Sequence, residues 1–423
     1  MHALVPVIAA RFRKRFADKP LLVVSPGRVN LIGEHTDYNE GFVLPGATDK
    51  AVVFAVSPRA DGVCHLVSHD YDQEFRCEID ALHRSPLRWP DYLQGVLDQF
   101  LRAGHRIGGF NCVFGGDIPI GAGMSSSAAI EGGLAFALNA ISGLKLDSLT
   151  LVKMAQKAEH EFVGVRCGIM DQFINIMGRE RSVLKIDCRS LEFEPFPFER
   201  EDLRVVVSDT LVRRELASSE YNVRRGQCEA GVDALKAHDP SLRSLRDVGL
   251  DLLREHRSDL DPVVYRRCEY VVRENIRVTE ACAALARNDF AVFGGLMNLS
   301  HAGLRDDYEV SSAELDALVE AARRVPGVLG ARMMGAGFGG CTISLVEAEA
   351  VPEFQARVAR DYEGVTGKAP RIHVVRIEAG THAVELPDPP GAGLFRSFPL
   401  TACWRFLNII LTTRQRGFLR LVS

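Results

Sequence analysis

Two periods of apolar spacing run through the chain. Residues 21–24 form a short apolar run closed by Ser25-Pro26-Gly27, which predicts a buried strand, and residues 51–56 predict another. Within residues 91–101 the period changes. Leu93, Val96, Leu97, Phe100 and Leu101 share one helical face, and Gly104 follows as a stop. Residues 111–114 predict a strand running into a glycine-rich turn. A helix is expected over 125–141, burying Ile130, Leu134, Leu138 and Ile141, and a third over 149–162, ending near Gly164.

A strand at 204–208 opens the second half, where helical patterns rich in Arg and Glu dominate from 219 to about 298. Residues 312–324 predict another helix, capped by Ser311 or Ser312, and 341–346 and 371–377 read as strands. No repeat of fixed period is present. The expected division is 1–200, 201–385 and a tail of 386–423, with the first boundary between 185 and 210. The tail carries prolines at 387, 389, 390 and 399 and five arginines against one aspartate, a net +4, so residues 1–385 carry −8. It reads as an appendage, with docking to a partner or membrane surface as the sharper alternative.

Composition narrows the class. A chain of 423 residues, 47% hydrophobic and 25% charged, has material for more than one core and is neither disordered nor collagen-like. Its net charge of −4 argues against a general nucleic-acid binder. No two of the ten cysteines lie closer than 13 residues, so no C-x-x-C motif exists and the thiols read as reduced. Cys64, His65 and His69 come nearest to a metal motif, but they sit in a strand-like alternation that need not converge. At the N-terminus, apolar residues 4–10 precede the basic Arg11, Arg13, Lys14 and Arg15, the reverse of a secretion signal. That segment predicts an amphipathic surface helix. No apolar run is long enough to span a bilayer, and a cytoplasmic location is expected.

Three glycine-rich segments carry the chemistry. Gly115-Gly116-Asp117-Ile118-Pro119-Ile120-Gly121-Ala122-Gly123-Met124-Ser125-Ser126-Ser127 lies between a strand and a helix. Its glycines allow close approach to a ligand, and the helix start offers free N–H groups to an anion, most often phosphate. It is not a Walker A loop, because no G-K-[ST] follows. Met334-Gly335-Ala336-Gly337-Phe338-Gly339-Gly340 precedes a strand, an order that contradicts a dinucleotide fingerprint. Pro26-Gly27-Arg28-Val29-Asn30-Leu31-Ile32-Gly33-Glu34-His35-Thr36-Asp37-Tyr38-Asn39 collects donors and acceptors of the kind a polyhydroxylated ligand needs.

Residues 27–38 resemble the signature of galactokinases. The loops 121–127 and 335–340 resemble the second and third motifs of the wider family of small-molecule kinases acting on galactose, homoserine, mevalonate and phosphomevalonate. Cys167-Gly168-Ile169-Met170-Asp171-Gln172-Phe173, Ser219-Glu220-Tyr221-Asn222 with Arg224-Arg225, and Arg305-Asp306-Asp307-Tyr308 fit the same pattern. The resemblance covers roughly residues 20–380. It implies an α+β, two-domain small-molecule kinase fold with the active site in the inter-domain cleft. It also implies transfer of the ATP γ-phosphoryl group to the 1-hydroxyl of D-galactose.

By the same resemblance Asp171 is the general base and Arg28 stands between it and the phosphate. Glu34, His35, Thr36, Asp37, Gly168 and Tyr221 bind sugar. Trp89, Tyr92, Gly121, Ala122, Gly123, Met124, Ser125, Ser126, Ser127, Gly335 and Gly337 serve ATP, and Ser127 and Glu159 hold Mg²⁺. The alternatives are an N-acetylgalactosamine kinase, a kinase for another sugar or sugar acid, and a catalytically silent galactose sensor. The intact Ser125-Ser126-Ser127-Ala128-Ala129 run and Asp171 argue against the sensor. Galactose and ATP are the expected partners and a monomer the expected state.

Overall fold

The computed structural model describes residues 1–119, 123–198, 200–212 and 217–386, with the backbone alone for 217–219. The expected ATP contacts Gly121 and Ala122, and the tail from 387 onward, lie outside the described residues. Residues 1–384 form one compact unit.

A six-stranded sheet runs in the order His382–Val384, Leu21–Asn30, Pro45–Pro58, Phe110–Gly116, Val63–Ser68 and Gln73–Glu78. All its neighbours are antiparallel except the pair Val63–Ser68 and Phe110–Gly116. Helices Trp89–Arg102, Ser126–Ile141, Ser148–Lys157 and Met170–Met177 contribute Leu93, Leu134, Val152 and Phe173 to the core shared with this sheet. A four-stranded antiparallel sheet follows, ordered Val328–Met334, Cys341–Glu347, Leu203–Asp209 and Arg371–Val375. Alternation sends its side chains to two cores. Val205, Val207, Ile343 and Leu345 join the large cluster, whereas Val206, Ala331 and Val346 pack against helices Ala313–Arg323 and Val351–Thr366. Helices Ala217–Leu235, Leu250–Glu255 and Pro262–Ala286 enclose a third cluster that includes Val232, Leu253 and Val271. A small sheet pairs Phe42–Val43, Ser182–Asp187 and Phe193–Pro197.

Two departures from the expected elements matter for the site. The first strand does not stop at Ser25-Pro26-Gly27. It continues to Asn30, with its register shifted between Pro26 and Arg28. Proline cannot donate to the ladder, so the irregularity falls there. The helix expected over 149–162 ends its regular turns at Lys157 and widens into a π-helical segment, Ala158–Val163, closed by Gly164 at φ 93°. Such widened turns frequently mark functional sites, and this one carries Glu159. Elsewhere the N-terminal helix Leu4–Arg15 buries Val5, Ile8, Ala9 and Phe12, and Ser312 caps Ala313–Arg323 by accepting from Leu315 N.

Candidate active site

Arg28 stands just past the irregular stretch of the first strand. Its Nε and Nη2 each donate to one oxygen of Asp171 at 2.9 Å, a two-point fork that fixes both groups. Its Nη1 donates to the carbonyl of Gly123, and its backbone N–H donates to Met124 O at 3.1 Å. The glycine-rich loop is thus tied to the strand through Arg28. Gly27 permits this approach, because a Cβ there would lie 2.8 Å from Met124 O. Ser125 sits at φ 57° before helix Ser126–Ile141, and its Oγ donates to Asp171 Oδ2 rather than capping the helix. The first turn of that helix holds no acidic residue and keeps its N–H groups available for an anion.

A cavity of about 910 Å³ opens beside this pair. Its lining includes Arg28, Glu34, His35, Asp37, Gly168, Asp171, Tyr221 and Gly335. Four segments distant in sequence therefore converge on one space. Helix Ala217–Leu235 adds Tyr221, Arg225 and Glu229, spaced so that they share one face.

The polar wall is built by burial and pairing. Arg332, wholly buried, donates to Leu31 O at 2.8 Å and to Glu34 Oε1 at 3.1 Å, and Gly335 N donates to the same oxygen at 3.0 Å. The His35 Nδ1 pairs with the Tyr38 hydroxyl at 2.8 Å, which in turn meets Tyr308 at 2.8 Å. Burial pushes the His35 imidazole down to about 3, with Arg224 and Arg332 adding to it, so the ring is neutral at ordinary pH. Burial, followed by the charge of Asp171, pushes the Asp37 carboxyl up to about 7. Gly168 leaves room for that carboxyl, since a Cβ there would lie 1.5 Å from Asp37 Oδ2.

A second carboxylate group lies under the loop. Glu159 is buried; its Oε2 accepts from Gln172 Nε2 at 2.7 Å and from Cys167 Sγ at 3.3 Å. Glu131 Oε2 accepts from the same amide at 3.1 Å, while Glu131 Oε1 has no hydrogen-bond partner. Burial raises both carboxyls above the usual range, helped by the charge of Glu159 at Glu131 and by that of Asp171 at Glu159. The Ser127 hydroxyl pulls Glu159 the other way. Two crowded carboxyls and a hydroxyl are hard oxygen donors, and they fit a Mg²⁺ ion. Tyr92 lies beside them, its phenol pushed up to about 12 by burial and by the charges of Glu159 and Glu131.

Several expected ligand contacts have their side chains spent on the framework instead. The Thr36 hydroxyl is buried and donates to Gly33 O at 2.9 Å and Phe42 O at 2.6 Å, which holds the turn that presents His35 and Asp37. Trp89 packs against Phe75 and Phe114 and donates its Nε1 to Gln73 at 2.8 Å, so it does not line the cavity. The Met124 side chain is buried. Gly337, at φ 86°, faces the backbone of Val310, where a Cβ would come within 2.1 Å of the carbonyl oxygen. Conversely, Arg332 and Arg88 belong to the site or its wall without having been singled out from sequence, while Tyr38, Asn222 and Arg225 stood in the quoted motifs without a role of their own. A lone arginine in the apolar run of 328–334 was the one available signal, since a buried charge requires a partner.

Comparison with known proteins places this arrangement. The galactokinase galactose-binding signature matches residues 10–58, the GHMP kinases N terminal domain 91–179, and the GHMP kinases C terminal 281–364. A galactokinase of Roseiflexus sp. (strain RS-1) is 44% identical over 375 residues, covering 88% of this chain and 96% of the relative. The Homo sapiens galactokinase is 45% identical over 365 residues, covering 84% and 91%. The crystal structure of Lactococcus lactis galactokinase complexed with galactose superposes with a TM-score of 0.87 at 33% identity, over 90% of this chain and all of that one. A mevalonate kinase structure shares the fold alone, with a TM-score of 0.59 at 19% identity. With curated relatives this similar over most of both sequences, the chain belongs to the galactokinase family.

Proposed function

We propose that the chain transfers the γ-phosphoryl group of ATP to the 1-hydroxyl of D-galactose, giving galactose 1-phosphate and ADP. The observation that carries this reading is the Arg28–Asp171 fork standing between the anion-accepting helix start and a wall of sugar-type acceptors. In this reading residues 1–200 supply the sugar motif, the phosphate loop and Asp171, and residues 201–385 supply Tyr221 and the 335–340 loop.

Asp171 acts as the general base. Ionised, it has about four acceptor positions, and Arg28 and Ser125 use three, which leaves one for the sugar hydroxyl. As the proton passes to Asp171, the bond from the sugar oxygen to the γ-phosphorus forms. The bond to the bridging oxygen breaks, and its electron pair leaves with ADP. Arg28 holds the aspartate by its two-point fork and offsets charge on the phosphoryl oxygens. Glu34, His35, Asp37 and Tyr221 orient the sugar, and Gly168 makes room for Asp37. The helix start at Ser126, with Gly123, Ser127, Tyr92 and Gly335, serves the nucleotide. Ser127 and Glu159 would hold Mg²⁺, which when bound neutralises phosphate charge. Among the described cysteines, Cys64, Cys77, Cys112 and Cys167 are free thiols, which suits a reducing, cytoplasmic setting. Among the described residues no helix is long and apolar enough to cross a membrane.

The test is a coupled ADP-release assay with ATP, Mg²⁺ and galactose, N-acetylgalactosamine, glucose or mannose. Turnover confined largely to galactose is expected. A preference for N-acetylgalactosamine would move the substrate while keeping the mechanism. Galactose binding without turnover on any sugar would overturn the catalytic reading.

A further inference from the structure

Among the described residues, one cluster of side chains outside the active site has metal-ligand chemistry and no role in the proposed phosphoryl transfer. His238, His256 and Asp259 each present one donor atom, and the three atoms lie within 4.8 Å of one another. The His238 Nε2 is 2.9 Å from Asp259 Oδ2, and the His256 Nδ1 is 3.5 Å from the same oxygen. The two rings lie parallel, with centroids 3.5 Å apart and planes at 13°. We propose that His238, His256 and Asp259 form a binding site for a borderline divalent transition-metal ion such as Zn²⁺, Co²⁺ or Ni²⁺.

The donor set decides the class of ion. Two imidazoles and one carboxylate suit Zn²⁺ and its neighbours, whereas Mg²⁺ favours oxygen alone. Spacing agrees with this. Metal–ligand bonds of about 2.0–2.1 Å at tetrahedral angles put donor atoms about 3.3 Å apart. Two of the three edges of the cluster are already near that length. The two rings are stacked in nearly parallel planes, so the exposed His238 ring has to swing out of the stack before both lone pairs meet on one ion. Water would take the fourth position.

The backbone holds each ligand at a fixed place. His238 N donates to Leu235 O at 2.9 Å at the end of helix Ala217–Leu235. His256 N donates to Leu252 O at 3.2 Å at the end of helix Leu250–Glu255, and Asp259 N donates to His256 O at 3.1 Å. The neighbouring cations are directed elsewhere. Arg257 lies over the Tyr265 ring, 4.8 Å from its centroid, and Arg254 faces Asp251 at 3.9 Å. An ion at this site would close the segment 238–259 over Leu242, Leu245, Leu253 and Leu260. It would also anchor the far end of the helix whose first turns carry Tyr221 and Arg225 to the cavity.

The test uses the full chain, stripped with chelator and kept in excess Mg²⁺ so that oxygen sites are filled. Co²⁺ is titrated while its visible absorption is followed, and thermal unfolding is measured with and without Zn²⁺. Wild type should take up one equivalent of Co²⁺ with a ligand-field band, and Zn²⁺ should raise its unfolding midpoint. The H238A/H256A variant should lose both responses while galactose-dependent ADP release in Mg²⁺ buffer free of transition metals stays at the wild-type level. Asp259→Asn should keep the fold and weaken Co²⁺ uptake at least tenfold. The same band and stoichiometry in H238A/H256A would overturn the proposal by placing the ion on the cysteines or the active-site carboxylates. Absence of Co²⁺ uptake by wild type at millimolar metal would overturn it as well.

Discussion

In the proposed reading Asp37 accepts sugar hydroxyls best as a carboxylate, yet its surroundings favour the proton. Burial and the nearby Asp171 raise its carboxyl to about 7 in the folded chain, against 3.8 for the free group. The folded state therefore holds the proton more tightly than the unfolded one. The stability this contributes is complete below about pH 4 and is lost as pH rises through about 7. Asp37→Asn should accordingly raise the thermal unfolding midpoint at pH 8 and change it little below about pH 4. The same substitution removes a charged acceptor, so KM for galactose should rise by about tenfold to a hundredfold, the cost of unpaired hydroxyls. In wild type, KM for galactose should climb as pH falls below 7, and this slope should vanish in the variant. Asp171 is the complementary case. Asp171→Asn should lower kcat by about 10²–10⁴-fold while calorimetric galactose binding is nearly kept. Near-normal turnover would take the base role away from it.

Elements carry these residues to one another, and small residues set how close they come. Gly168 lies immediately before helix Met170–Met177, and a single methyl group there would occupy the place of the Asp37 carboxyl. Gly168→Ala should raise KM for galactose with little change in KM for ATP, because the displaced group belongs to the sugar wall. Equal changes in both constants would mean that the helix itself had moved. Much of this level was legible in the chain. Helix Ser126–Ile141, helix Trp89–Arg102 and strand Leu203–Asp209 follow from apolar period and turn residues, and the three glycine-rich segments marked where chemistry would gather. The rest depends on contacts that local pattern does not encode. Pro26 reads as a strand stop, and only the partner strand at 45–58 shows that the ladder resumes at Arg28. A 3.6-residue period does not reveal the widened turn that buries Glu159. Trp89 and Thr36 carry groups a ligand could use, but Gln73, Gly33 and Phe42 claim them once the chain folds. The Glu34–Arg332 pair joins residues about three hundred positions apart, so neither could name the other in advance.

At the scale of the whole molecule, the Arg28–Asp171 pair is held together by a late segment of the chain. Strand His382–Val384 pairs with Leu22, Val23 and Val24, just upstream of Arg28. Thr381, beside it, is buried. Its N–H donates to Asn175 O at 2.7 Å, and its hydroxyl meets Asn175 Oδ1 and Ser25 Oγ at 3.0 Å each. Asn175 stands on the helix that bears Asp171 and donates to Pro26 O at 2.6 Å. Residues 381–384 therefore clamp the strand of Arg28 to the helix of Asp171 from behind, and they end where the compact unit ends. Truncation after Leu386 should leave kcat, both KM values and the unfolding midpoint unchanged. Truncation after Ile377 removes the clamp and leaves buried groups of Ser25 and Asn175 short of partners, at about 1–3 kcal/mol each. Its unfolding midpoint should fall, and kcat should fall at temperatures where the shortened chain is still folded, because the Arg28–Asp171 fork loses its fixed spacing. Full activity in the folded, shorter chain would show that the fork holds its geometry without this support. Thr381→Val separates the polar clamp from the strand. It should reproduce part of the kcat loss if the hydrogen bonds set the spacing, and none of it if strand pairing alone does.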